Sequence, residues 1–202
     1  GYSNTLYNTS RFNSVSGYNN VLYNSTGYNL VSGGGLVPAD GNTINSSSYG
    51  NIVGGSSNTV GHDNLGNAVS GFNNLLKDSV KDNVVSGQSN TLYNSTYTNS
   101  VSGAVNSIRE GSSGNFVGPS AGDIAGSGNL VSGQGAILNS GSWTINKQNV
   151  VSGDNNLVAG IGDNGNTVTG NNNVAIMGAT VTGNNNIGIG NGAITTVYNT
   201  IA

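Results

Sequence analysis

Apolar residues recur along the first part of the chain at gaps that alternate between nine and seven. The series begins Leu6, Val15, Leu22, Val31 and resumes as Ile44, Val53, Val60, Val69, Leu76, Val85, Leu92, Val101, Ile108, Val117 and Ile124. An asparagine stands two residues before the centre, as at Asn83, Asn90, Asn99, Asn106 and Asn115. A unit of about sixteen residues is too short for a two-helix repeat and suits one coil of a β-solenoid. Alternate side chains of a strand point to opposite sides. In each Asn-x-apolar-x-Gly/Asn motif, the asparagine and the apolar centre therefore face inward and the residues flanking the centre face outward.

The pattern predicts an all-β fold: a single β-solenoid, or β-roll, spanning residues 1–202 as one continuous domain. Face A carries Leu6, Leu22, Ile44, Val60, Leu76, Leu92, Ile108 and Ile124; face B carries Val15, Val31, Val53, Val69, Val85, Val101 and Val117. The register slips across Gly33-Gly34-Gly35-Leu36-Val37-Pro38, where glycines and proline suit an irregular coil. Beyond Ile124 the centres fall near Val131, Leu138, Ile145, Val151, Val158, Val168, Val174, Val181 and Ile187. That spacing predicts coils of about fourteen residues and a change of coil size near residue 125. Trp143 interrupts the asparagine column there and reads as a local plug.

Stacked coils stand about 4.8 Å apart, so identical inward residues form ladders. An amide in such a ladder can bond to the amides above and below it, which offsets the cost of burying it. Turn positions fit the same scheme. Gly17, Gly33, Gly55, Gly71, Gly87 and Gly103 follow the face B centres, and glycine accepts positive φ without steric cost. Asn8, Asn24, His62, Asp78, Asn94 and Glu110 follow the face A centres. The longer gap after face A predicts a third, shorter side, with Phe12, Tyr28, Leu65 and Tyr97 under it or on it.

Composition alters this picture little. The chain has 202 residues, of which 34 are Gly and 37 Asn, and only 6% are charged. Such bias is usual in disordered chains, yet disorder requires no register. Net charge is −3, with Arg11, Lys77, Lys81, Arg109 and Lys147 as the basic residues. A surface tracking phosphates needs clustered positive charge, so no nucleic-acid partner is expected. Cysteine is absent, which removes disulfides and thiolate metal sites. No apolar run approaches the roughly 20 residues needed to span a bilayer, so no membrane insertion is expected. A start at Gly1 without Met suits a processed mature chain and a trimmed one equally, while composition and the sequons point to an extracellular or cell-surface location.

No catalytic constellation emerges, and the expectation is a protein that is not an enzyme and has no cofactor, catalytic or metal residues. His62 reads as a turn residue. The acids Asp40, Asp63, Asp78, Asp82, Glu110, Asp123, Asp154 and Asp163 are scattered, whereas paired-carboxylate hydrolysis needs two at a defined separation. Gly160-Ile161-Gly162-Asp163 brushes the calcium-binding nonapeptide pattern once, without the repetition that defines such sites, so calcium is left open. Asn8, Asn24, Asn45 and Asn94 open N-glycosylation sequons, making glycans candidate partners.

The outward columns of face B differ from each other. Before each centre stand Ser14, Leu30, Ile52, Ala68, Val84, Ser100, Phe116 and Leu130; after it stand small residues, mostly serine. A flat apolar strip usually marks an interaction surface, so Leu30, Ile52, Val84, Phe116 and Leu130 are the candidate interface. Face A is rougher, with Tyr7, Tyr23, Lys77, Tyr93 and Arg109 outward. The repeat motif reaches both chain ends, which predicts end-to-end stacking through Asn4, Leu6, Val197, Asn199 and Ile201.

The motif Asn-x-Val-x-Gly, as in Asn166-Thr167-Val168-Thr169-Gly170 and again in Thr180-Val181-Thr182-Gly183, resembles the plant ice-recrystallisation-inhibition domain of the ryegrass-type antifreeze family. That resemblance implies a β-roll with inward valines, asparagine ladders and flat outward faces, and it makes an ice surface a candidate partner. Leu30, Ile52, Phe116 and Tyr93 interrupt the regular array of small groups that an ice face needs. The stretch from Asn171 to Ala193 is also similar to head repeats of trimeric autotransporter adhesins, which implies side-by-side association at a cell surface. Three readings follow: a self-assembling structural protein of a fibre, sheath or surface layer, with copies of itself as partners; an ice-binding protein; and an adhesin head. Outward Leu, Ile and Phe on face B favour the first.

Overall fold

The computed structural model describes residues 1–8, 11–24, 27–34, 40–46, 48–94, 96–109, 111–118, 122–125, 128–132, 137–138, 149–159, 165–176, 178–190 and 194–195. Among them there is no α-helix. Two compact units are present, Gly1–Ala104 and Val105–Ala202, and each is a parallel β-solenoid.

In the first unit every coil gives one short strand to each of two sheets. Sheet A stacks β1 (Thr5–Leu6), β3 (Val21–Leu22), β5 (Thr43–Ile44), β7 (Thr59–Val60), β9 (Leu75–Lys77) and β11 (Thr91–Tyr93). Sheet B stacks β2 (Ser14–Val15), β4 (Leu30–Val31), β6 (Ile52–Val53), β8 (Ala68–Val69), β10 (Val84–Val85) and β12 (Ser100–Val101). All pairings are parallel and place like on like: Leu22 beside Ile44, Ile44 beside Val60, Val69 beside Val85. The centres expected to face inward from Leu22 to Val101 are buried. Each such side chain contributes about 1.5–3 kcal/mol by leaving water. Leu6 and Val15 are less covered: Leu6 is exposed and Val15 half-buried.

Two asparagine ladders run beside this core. Asn58 Oδ1 accepts the backbone N–H of Asn74 and its side-chain Nδ2–H, both at 3.0 Å. Asn74 Nδ2 also donates to Ser70 O at 2.9 Å and Gly87 O at 3.1 Å. The same pattern links Asn42 to Asn58 and Asn74 to Asn90. On the sheet B side it links Asn51 to Asn67, Asn67 to Asn83 and Asn83 to Asn99. Full satisfaction explains how so many amides are buried without a desolvation penalty. One coil is longer than its neighbours: Asn42 bonds to Asn20 across 22 residues, where the next ladder step, from Asn42 to Asn58, is 16.

The third side is present as a column of single-residue bridges, Arg11, Gly27, Tyr49, Leu65, Lys81 and Tyr97. Phe12, Tyr28, Leu65 and Tyr97 lie exposed along it. A fourth column, which spacing did not predict, joins Ser56, Phe72, Gln88 and Ala104. Four sides therefore close each coil. The turn after sheet B needs glycine twice over. Gly71 has φ +101, and a Cβ there would overlap the carbonyl of Gly87 in the next coil. After sheet A, Asn8, Asn24, Asp78 and Asn94 take positive φ as expected, but His62 does not; Asp63 takes it there instead.

The second unit repeats the two-sheet arrangement. Its sheet A holds β13 (Ser107–Ile108), β15 (Asp123–Ile124), β17 (Ile137–Leu138), β19 (Leu157–Ala159), β21 (Val174–Ile176) and β23 (Ile187–Ile189). Its sheet B holds β14 (Phe116–Val117), β16 (Leu130–Ser132), β18 (Val150–Ser152), β20 (Thr167–Thr169), β22 (Thr180–Thr182) and β24 (Ile194–Thr195). Ladder steps here are 14 residues from Asn115 to Asn129, 20 to Asn149 and 17 to Asn166, and 13 from Asn173 to Asn186. Where Gly122 or Ala179 replaces asparagine, the backbone N–H still donates to the preceding amide, Asn106 or Asn166.

Two expected centres are corrected. Val174 and Ile187 are not the inward residues; Ala175 and Gly188 are, and they are buried. The coil narrows there, and a Cβ on Gly188 would stand 2.7 Å from Val181 Cγ2 and 3.2 Å from Ala179 Cβ. Only a small residue fits inward, so the larger ones turn to the flanks. Trp143, Ile145, Glu110 and the stretch 160–163 lie outside the described residues.

Candidate functional surface

The outward columns of sheet B are positioned by the inward residues between them. With Val31, Val53, Val69 and Val85 fixed in the core, the preceding residues must point out. In the first unit Leu30 pairs with Ile52, Ile52 with Ala68 and Ala68 with Val84. Leu30, Ile52 and Val84 are 46%, 55% and 55% exposed. The parallel column after the centres is Ser16, Ser32, Gly54, Ser70, Ser86 and Ser102. In the second unit Phe116 pairs with Leu130 and Leu130 with Val150, all three exposed. That strip continues through Thr167 and Thr180.

None of these outward positions, in either unit, is charged. The charges of the first unit lie elsewhere. Arg11 and Lys81 are on the third side, Lys77 is on sheet A, and Asp63, Asp78 and Asp82 are at positive-φ turns. All five sequence-predicted interface residues, Leu30, Ile52, Val84, Phe116 and Leu130, are thus exposed on the B sheets.

Sheet A presents a column that sequence reading passed over: Thr5, Val21, Thr43, Thr59, Leu75 and Thr91, each half-buried and in register. The signal was available, since each residue immediately precedes a face A centre. On the other flank Tyr7 and Tyr23 stack at 5.0 Å with 3° between ring planes. In the second unit Arg109 Nε donates to Asp123 Oδ1 at 2.6 Å, and Nη2 pairs with Oδ2 across adjacent coils. This pair is partly exposed, so it is worth at most about 1 kcal/mol.

The sequon asparagines divide. Asn8 and Asn24 are exposed, and Asn8 Nδ2 donates to Asn24 Oδ1 at 3.1 Å. Asn45 and Asn94 are half-buried. Thr96, the hydroxyl residue of the Asn94 sequon, is fully buried, and its Oγ1 has no hydrogen-bond partner among the described residues. Of the end-to-end set, Asn4 donates through Nδ2 to Gly17 O at 3.1 Å and accepts from Asn20, and Leu6 is exposed. Val197, Asn199 and Ile201 lie outside the described residues. Among the described residues no three His, Cys, Asp or Glu side chains gather as a metal site. No protein-family profile matches the chain, and no curated protein matches it.

Proposed function

We propose that this is a non-enzymatic structural protein of the extracellular space or cell surface that assembles with copies of itself, the outward columns of its B sheets forming the contact. One observation carries the reading: each unit has an in-register, charge-free strip in which an exposed apolar column runs beside a column of small residues. Serine and glycine permit close approach, and each Leu or Phe covered there would contribute about 1.5–3 kcal/mol. The test is the triple variant Leu30→Lys, Ile52→Lys, Phe116→Lys. Sedimentation and electron microscopy should show assemblies of the parent chain and monomers of the variant, with the same far-ultraviolet circular dichroism. A parent chain that stays monomeric at high concentration overturns the proposal, as does unchanged assembly of the variant.

A second reading, ice binding, draws on a specific array. Thr167 stands beside Thr180 and Thr169 beside Thr182, flanking inward Val168 and Val181. The resemblance to the plant antifreeze family rests on these same coils. Inhibition of ice recrystallisation at micromolar concentration, abolished by Thr169→Tyr with Thr182→Tyr, would favour this reading over assembly.

A further inference from the structure

Aromatic residues crowd the first two coils in three vertical pairs. Tyr2 and Tyr18 meet at 6.2 Å with a 44° tilt, Tyr7 and Tyr23 stack at 5.0 Å and 3°, and Phe12 and Tyr28 stack at 5.1 Å and 14°. The pair Tyr7–Tyr23 alone of the three joins two phenols in a parallel stack. Both rings are accessible, at 48% and 38% exposure. Their backbones are held in register, since Tyr7 N–H donates to Leu22 O at 2.8 Å and Tyr23 N–H to Ile44 O at 2.8 Å. No core rearrangement is needed to bring the rings together.

We propose that Tyr7 and Tyr23 form an oxidative cross-linking site, a dityrosine bond between the first and second coils. The co-reactant is a peroxidase-type one-electron oxidant with hydrogen peroxide. Each phenol gives up one electron and one proton, leaving two phenoxyl radicals. Their ortho carbons form one carbon–carbon bond, and each ring then moves its ortho hydrogen to oxygen, restoring both phenols. Two phenols and one hydrogen peroxide thus yield one biphenol and two waters, and the chain loses two hydrogens. The stack holds the two radicals face to face as they form, so coupling within the chain outruns encounter with a second copy. Phe12 cannot supply a phenol, and the tilted, more distant Tyr2–Tyr18 pair is poorly placed.

Arg11 makes the assignment direct, because it is the sole Arg or Lys between Tyr7 and Tyr23. The folded chain is treated with peroxidase and dilute hydrogen peroxide, unfolded, and digested with trypsin. The expected product is peptide 1–11 joined to peptide 12–77, lighter by two hydrogens than the sum of the two, with dityrosine fluorescence. Tyr7→Phe and Tyr23→Phe should each abolish it, while Tyr2→Phe and Tyr18→Phe should leave it. Phenylalanine already stacks in the Phe12–Tyr28 pair, so these variants should keep the fold, which circular dichroism checks. A linked product that survives Tyr7→Phe overturns the site. So does dityrosine found only between copies, or its absence from the oxidised parent chain.

Discussion

Asn58 and Asn74 share two hydrogen bonds through one oxygen, and this relationship repeats along both edges of the core. Asn58 Oδ1 accepts the backbone N–H and the side-chain Nδ2–H of Asn74. Asn74 Oδ1 does the same for Asn90 at 3.0 Å and 3.0 Å. A single amide therefore fixes the register of the coils on either side of it.

Asn74→Ala should destabilise the chain by about 1–3 kcal/mol, the cost of leaving buried polar groups unpaired. The Asn90 backbone N–H loses its acceptor, while Asn90 Nδ2 keeps Ser86 O and Gly103 O and the N–H of residue 74 keeps Asn58 Oδ1. That surviving bond is the one Gly122 and Ala179 make, which is why the loss stays moderate. Denaturant unfolding of the variant reads the effect directly. A midpoint equal to that of the parent would show that the side-chain ladder contributes nothing.

Thr96→Val should raise stability by about 1 kcal/mol, since a buried hydroxyl without a partner costs roughly 1–3 kcal/mol. Valine suits the position: Val80 occupies it one coil earlier and is fully buried. The expected readout is an increase in Tm by calorimetry. A decrease would mean that the hydroxyl is satisfied in solution.

Gly71→Ala should cost more than Gly111→Ala. Both glycines have positive φ, +101 and +67, so both variants carry backbone strain of order 1 kcal/mol. At Gly71 the new methyl also meets the Gly87 backbone, whereas at Gly111 nothing lies within 4 Å. Backbone cannot step aside as a flexible side chain can. Equal losses in thermal unfolding would show that φ alone sets the cost at both turns.

Much of the fold was legible because a solenoid turns long-range contacts into a short repeat. Leu76 meets Leu92 in space and resembles it in sequence for the same reason: each occupies the same place in consecutive coils. Hence the inward valines and leucines, the asparagine ladders, the turn glycines and the outward strip with Leu30, Ile52 and Val84 could all be read from spacing and alternation. The positions of Val174 and Ile187 could not be read from residue size. In Val174-Ala175-Ile176 and Ile187-Gly188-Ile189 the larger apolar residues lie on the flanks, so size points to the wrong one. Asn173 and Asn186, two residues before Ala175 and Gly188, carried the correct register. Packing decided it, because a Cβ at Gly188 would crowd Val181 and Ala179. The fourth side of the coil and the orphan hydroxyl of Thr96 also emerged only in three dimensions. Single-residue bridges have no period-two pattern to announce them, and hydrogen-bond satisfaction depends on neighbours a full coil away. Sequence alone thus determined what repeats from coil to coil; the tertiary structure decided how much room each coil leaves inside, since that volume is set jointly by stacked neighbours rather than by any one stretch of chain.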